Sequence, residues 1–142
     1  MWFEAKSKEL GDMKEEGKRE TRGKLFRFQN LDIWKKAIKI GDKLLDIADD
    51  LEKKKLYRFA EQVKGAGLSI SNNISEGSGS FSKKEFVQFL NIARRSTFEN
   101  ANTVIVFERR GLINSKNRDD LLDDLEQECK MITGFIRSLK NQ

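Results

Sequence analysis

Gln62-Val-Lys-Gly-Ala-Gly-Leu-Ser-Ile-Ser-Asn-Asn-Ile-Ser-Glu-Gly-Ser-Gly79 is the stretch on which the reading of this chain turns. Together with Phe59 just before it, Val63, Ala66, Ile70 and Ile74 recur at steps of three and four, the period of one helix face. Yet Gly65 and Gly67 interrupt that helix, each costing roughly 1 kcal/mol relative to alanine. Small and polar residues stand where a helix usually carries bulky apolar ones. A sequence tolerates that where another backbone comes close or where the segment binds something, so the middle of the chain is built for contact.

Three more amphipathic segments surround this one, which covers about residues 56–76. Upstream, Trp34, Ile38, Gly41, Leu45 and Ala48 form an apolar seam over about residues 31–53, with Lys35, Lys36, Lys39 and Lys43 on the outer face. Downstream, Ser82-Lys-Lys-Glu85 reads as a capping box, and Phe81 with Phe86 as its hydrophobic staple. Phe86, Leu90, Ala93, Thr97, Asn100, Val104 and Phe107 then run along one side until Gly111 ends the helix. The last segment is expected to begin near Asn117, with Asp119 and Asp120 in its first turn, and to bury Leu122, Leu125, Cys129, Ile132, Ile136 and Leu139. Short connections make neighbours antiparallel, so the expected fold is all-α, an up-down-up-down antiparallel four-helix bundle over 26–142. Residues 1–25 read as a flexible charged extension. Within it Met13 offers an alternative start that leaves residues 1–12 outside the native protein, and Leu25-Phe-Arg-Phe28 reads as a short extended arm against the bundle.

Composition narrows the chemistry. The 142 residues contain no proline and no histidine, and 36% are charged. Without histidine there is no Ser-His or Cys-His nucleophile and no imidazole metal site. The single cysteine, Cys129, cannot form an intrachain disulfide and suits a reducing compartment. With no apolar run of membrane-spanning length, the sequence points to a cytoplasmic protein without cofactor or metal. The net charge of +5 is spread along the chain: residues 1–30 hold 8 Lys/Arg against 6 Asp/Glu, the remainder 20 against 17. Such an excess permits nucleic acid as a partner without requiring it.

The pattern Gln62, Ala66, Ser69-Ile70, Asn73-Ile74-Ser75-Glu76-Gly77, followed by Ser96 and Glu99, resembles the four-helix bundle proteins related to those encoded in intervening sequences of bacterial 23S ribosomal RNA genes. Leu31-Asp-Ile-Trp34-Lys-Lys-Ala37 also matches that family's first helix. The resemblance covers about residues 26–140. It implies a homopentamer, an architecture similar to that of the accessory proteins of diversity-generating retroelements, which associate with a reverse transcriptase and with nucleic acid. One departure stands out: the family usually has a proline between its first two helices, where this chain has Asp50-Leu-Glu-Lys-Lys-Lys55. The shape of that connection therefore stays open.

Two sets of residues are candidates for function. Asn73, Glu76, Ser96 and Glu99, with Asn72 and Asn100, read either as a polar network fixing the register of two helices or as a ligand contact. Glu76 and Glu99 lack a nucleophile or metal shell beside them, so no catalytic residue is assigned and the protein is expected not to be an enzyme. Lys83, Lys84, Arg94, Arg95, Arg109 and Arg110 are the candidate nucleic-acid contacts, with the loop Gly77–Lys84 as a possible phosphate cradle. In a five-fold ring the charge would reach about +25, enough to hold RNA or DNA through phosphates. Glycines 65 and 67 are expected to permit close helix packing. Trp34, Phe59, Phe86, Phe89 and Phe107 read as core rather than as a base-stacking platform, and Phe89 beside Leu90 widens the third helix's stripe enough to serve both a core and a subunit interface. The acidic last helix should face away from nucleic acid, or pair with first-helix lysines across a subunit boundary. The competing reading is a protein–protein adaptor that presents a ring surface to a partner such as a reverse transcriptase.

Overall fold

The computed structural model describes residues 26–142; the extension expected over 1–25 and the alternative start at Met13 lie outside the described residues. A 3-10 turn at Arg27–Asn30 precedes four helices: α1 (Asp32–Lys53), α2 (Tyr57–Ser78), α3 (Lys83–Arg109) and α4 (Ser115–Lys140). Each packs on the next, and α1 closes the bundle against α4 through the sparsest of the four seams. No strand occurs among the described residues. The fold is the all-α four-helix bundle that the periodicity predicts.

Local sequence explains the helix ends. Ser82 caps α3 by accepting the Glu85 amide proton at 3.1 Å. Phe81, however, stands fully exposed, so the staple with Phe86 is not made. Gly111 (φ +75°) ends α3 in a Schellman turn: the Leu112 amide donates to the Phe107 carbonyl at 2.8 Å and the Gly111 amide to Glu108 at 2.9 Å. The same motif shapes the connection the sequence left open. Lys55 takes the left-handed conformation (φ 62°), and the Leu56 and Lys55 amides donate to Leu51 and Glu52, each at 2.9 Å. The last helix starts at Ser115 rather than near Asn117, because the Asn114 side chain accepts the Asn117 amide proton at 2.7 Å. Asp119 and Asp120 therefore lie beyond the first turn. The segment at Phe26–Phe28 is not an extended arm. It enters the 3-10 turn, with the Phe28 ring stacked on Phe26 at 5.6 Å and against Trp34 at 5.3 Å.

The buried faces agree with the expected stripes unevenly. On α3 all seven expected residues are buried. On α2, Val63, Ile70 and Ile74 are buried, but Gly67 rather than Ala66 joins them, and Phe59 sits at the edge with its ring perpendicular to Phe107 at 5.7 Å. On α1 the buried line is Ile33, Ala37, Ile40, Gly41, Leu44, Ala48 and Leu51, so Trp34, Ile38 and Leu45 are only half-buried. On α4 it is Leu121, Leu125, Glu128, Ile132 and Leu139, with Leu122, Cys129 and Ile136 half-buried. Both helices carry two adjacent apolar columns, and the helical period cannot choose between columns one residue apart. Tertiary packing chooses. Gly41 and Gly67 bring α1 and α2 together, while Gly77 lets α2 approach Phe86 and Phe89 of α3.

Candidate nucleic-acid interface

The six candidate cations all lie on α3 or at its C-terminal cap. Lys83 and Lys84 open the helix, Arg94 and Arg95 sit near its middle, and Arg109 and Arg110 end it. At 1.5 Å per residue these pairs are separated by roughly 16 Å and 22 Å, so a single chain strings them along a rod rather than gathering them into one patch. Arg94 is half-buried and donates twice to Asn91 Oδ1, at 3.0 and 3.2 Å; the other five are exposed. Lys83 donates to the Gln142 carbonyl at 3.2 Å.

None of the six forms an ion pair with a carboxylate among the described residues. The first helix is different. Lys36 contacts Asp124 at 2.8 Å, and Lys43 contacts both Asp120 and Asp124 at 2.6 Å. Burial alone would raise the Asp124 pKa. The hydrogen bonds from Lys36 and Lys43, with their charges, outweigh it and hold that carboxyl below its ordinary value. Asp120 and Asp124 of α4 thus pair with Lys36 and Lys43 of α1 within one chain, while the six α3 candidates, like Lys35 and Lys39 of α1, have no carboxylate partner among the described residues.

The polar residues separate. The Asn73 side chain donates to the Ser69 carbonyl of its own helix at 2.7 Å. Glu76 is exposed and lines an open groove of about 760 Å³ with Phe26, Arg27, Asn72, Ser75 and Gly79. Glu99 is exposed, and Ser96 is buried. No hydrogen bond among the described residues joins these four side chains to one another. The bond that ties α2 to α3 comes from Asn100, whose Nδ2 donates at 2.9 Å to both the Ala66 and Ser96 carbonyls. Residues Gly77 and Ser78 belong to α2, so the loop that could cradle phosphate shrinks to 79–82, and the Ser82 cap already occupies one free amide there.

Gly67 packs closely as expected, but a Cβ on Gly65 would meet nothing within 4 Å. Phe86 and Phe107 are core, and Trp34 packs partly against it. Phe89 does not widen the outer stripe; its Cβ stands against Gly77. The apolar side chains that α3 leaves exposed are Ile92, Phe98 (62% exposed), Ile105 and Val106. Phe98 and Ala101 also border a groove of about 410 Å³ shared with Leu122, Leu125 and Cys129 of α4. The pairing of the acidic last helix with first-helix lysines, expected across a subunit boundary, is made by Lys36 and Lys43 within one chain. One feature escaped the sequence. Glu128 was hidden inside an acidic run, and the 121-125-128-132 column that holds it is one of two adjacent columns the helical period allows. Among the described residues no group of three or more Asp, Glu or Cys converges as a metal site, and no helix is long and apolar enough to cross a membrane.

The antiparallel packing of α1 to α4 places the chain among the small all-α four-helix bundle proteins. Within that class the chain belongs to the 23S rRNA-intervening sequence protein family, whose model matches residues 29–134. It is similar in fold to a crystal structure of a protein of unknown function from the S23 ribosomal protein family of Bacteroides thetaiotaomicron. The two share 21% identity and a TM-score of 0.69, and the match covers 73% of this chain and 97% of that one. No curated protein matches the chain.

Proposed function

We propose that this protein is a non-enzymatic, homopentameric four-helix bundle that binds structured RNA or DNA as an accessory or scaffold protein. The observation that carries the reading is the division of charge. Lys36 and Lys43 of α1 are paired to α4, whereas Lys84, Arg95, Arg109 and Arg110 are exposed and, among the described residues, have no acidic partner. Phosphates supply the counter-charge that such a surface lacks. The exposed strip around Phe98, Ile105 and Val106 supports self-association, since a lone subunit leaves it in water. Assembly would repeat each short row of cations around a ring, raising the local potential above what a single rod achieves. The family's tie to 23S ribosomal RNA genes agrees with an RNA partner.

Titrating a structured RNA against the protein at rising salt tests this. Binding should weaken steeply with salt, and replacing Arg109 and Arg110 together should flatten the slope. Absence of binding at low salt removes the reading. The same exposed strip also fits an adaptor for a protein partner such as a reverse transcriptase; capture of that partner surviving nuclease treatment would favour the adaptor.

A further inference from the structure

Glu128 sits in the core of the bundle, 0% exposed, and among the described residues neither carboxylate oxygen has a hydrogen-bond partner. Burial pushes its pKa up to about 8 against a weaker opposing pull from Lys36. Lys36 is committed elsewhere, donating to Asp124 Oδ1 at 2.8 Å and Gln127 Oε1 at 3.1 Å. Lys36 itself is only half-buried, and the residues that α1, α2 and α3 bury are all uncharged. The carboxyl therefore has an uncharged core around it and one nearby cation held by other partners.

Its position matters as much as its burial. Glu128 lies one helical turn from Asp124, beside the α1–α4 seam, which is the sparsest of the four. Two grooves open along that seam. One, of about 190 Å³, is lined by Lys43, Ile47 and Asp50 of α1 with Asn117, Asp120 and Leu121 of α4. The other, of about 350 Å³, is lined by Asn30, Leu31, Asp32 and Ile33 with Met131 and Phe135. The seam is held by the clasp of Lys36 and Lys43 on Asp120 and Asp124, whose Lys43–Asp120 pair borders the first groove.

We propose that Glu128 is a proton-operated latch on this seam: neutral, it lets α4 lie closed on α1, and loss of its proton drives the two helices apart while α2 and α3 stay packed. An ionised carboxylate without a partner is strongly unfavourable in an apolar interior, and opening the seam returns it to water. The sign follows from linkage. The folded pKa is raised, so the stabilisation is complete below the ordinary value of 4.5 and is lost as pH rises to about 8. Asp124 shifts the other way and loses its contribution only in acid, and the raised pKa of Lys43, set first by its hydrogen bond to Asp120, acts only in strong alkali. Across neutral pH, Glu128 is the group that moves.

Amide hydrogen exchange on the full chain, compared with Glu128→Gln at each pH so that intrinsic exchange cancels, tests the latch. From about pH 5.5 to about pH 7.5 the opening constant of α1 and α4 amides should rise about 70-fold more in the wild type than in the variant, with α2–α3 amides unaffected. A parallel rise in both proteins, or an equal rise over all four helices, overturns the proposal. A carbon NMR titration of the Glu128 carboxyl in the wild type needs no variant. Titration near 8 supports the latch, and titration in the ordinary carboxylate range overturns it.

Discussion

Gly41 on α1 and Gly67 on α2 face each other without side chains between them: a Cβ on Gly41 would stand 3.0 Å from the Gly67 carbonyl oxygen, and one on Gly67 would stand 3.0 Å from Leu44 Cβ. This approach sets which column of α1 enters the core. It also divides the helical glycines into those the packing requires and those it does not.

Gly77→Ala should destabilise the fold by about 1–3 kcal/mol through overpacking. The added Cβ would lie 2.6 Å from Phe89 Cβ and 2.9 Å from Phe86 Cδ1, neither of which can swing clear. Gly65→Ala should do the opposite, stabilising by about 0.5–1 kcal/mol, because its Cβ points into open space and the helix gains propensity. Urea midpoints of the two variants check both signs.

Lys55 holds a left-handed backbone conformation where helices usually place glycine. Lys55→Gly should therefore raise stability by about 1 kcal/mol, since the side chain no longer crowds the carbonyl. Thermal unfolding measures this, and an unchanged or lower midpoint would count against a left-handed Lys55.

Asp124→Asn should cost about 1–2 kcal/mol near neutral pH by removing the charge that holds Lys36 and Lys43. The folded pKa of Asp124 lies below its ordinary 3.8, so the wild type keeps this contribution above 3.8 and loses it as pH falls through the folded value. The difference between wild type and variant should thus shrink in strong acid, as read by denaturation at several pH values.

Asn100→Asp should cost on the order of 3 kcal/mol, because a carboxylate would face the Ala66 and Ser96 carbonyls with no donor to offer. Acid should restore part of the loss, since a protonated carboxyl can donate to one of them. Stability curves at neutral and low pH provide the check.

Phe98→Asp should lower the solution mass toward the 16.5 kDa of one subunit while leaving helix content intact, if the exposed α3 strip is the assembly surface. Light scattering and circular dichroism on the same sample separate dissociation from unfolding.

The third helix was the most legible part of the chain. Its capping serine, its seven core positions and its terminal glycine are local signals, and each acts through bonds or contacts within a few residues. The candidate site was legible as a list of cations but not as a surface. Which cations remain without acidic partners depends on α4 reaching back to α1, across some eighty residues of chain. The four polar residues of the motif share a helix pair, yet the bond between those helices comes from Asn100, which periodicity marks only as a core position.

By itself the sequence determined the four amphipathic helices, their all-α antiparallel order and the family to which the chain belongs, because hydrophobic period, caps and short connections are written in neighbouring residues. Only the tertiary structure decided which column of α1 and α4 faces inward, which glycines touch, and that Glu128 enters the core. Adjacent columns on a helix differ little in local free energy. The choice is made by long-range packing, where a missing Cβ or one committed lysine outweighs any preference a single helix can express.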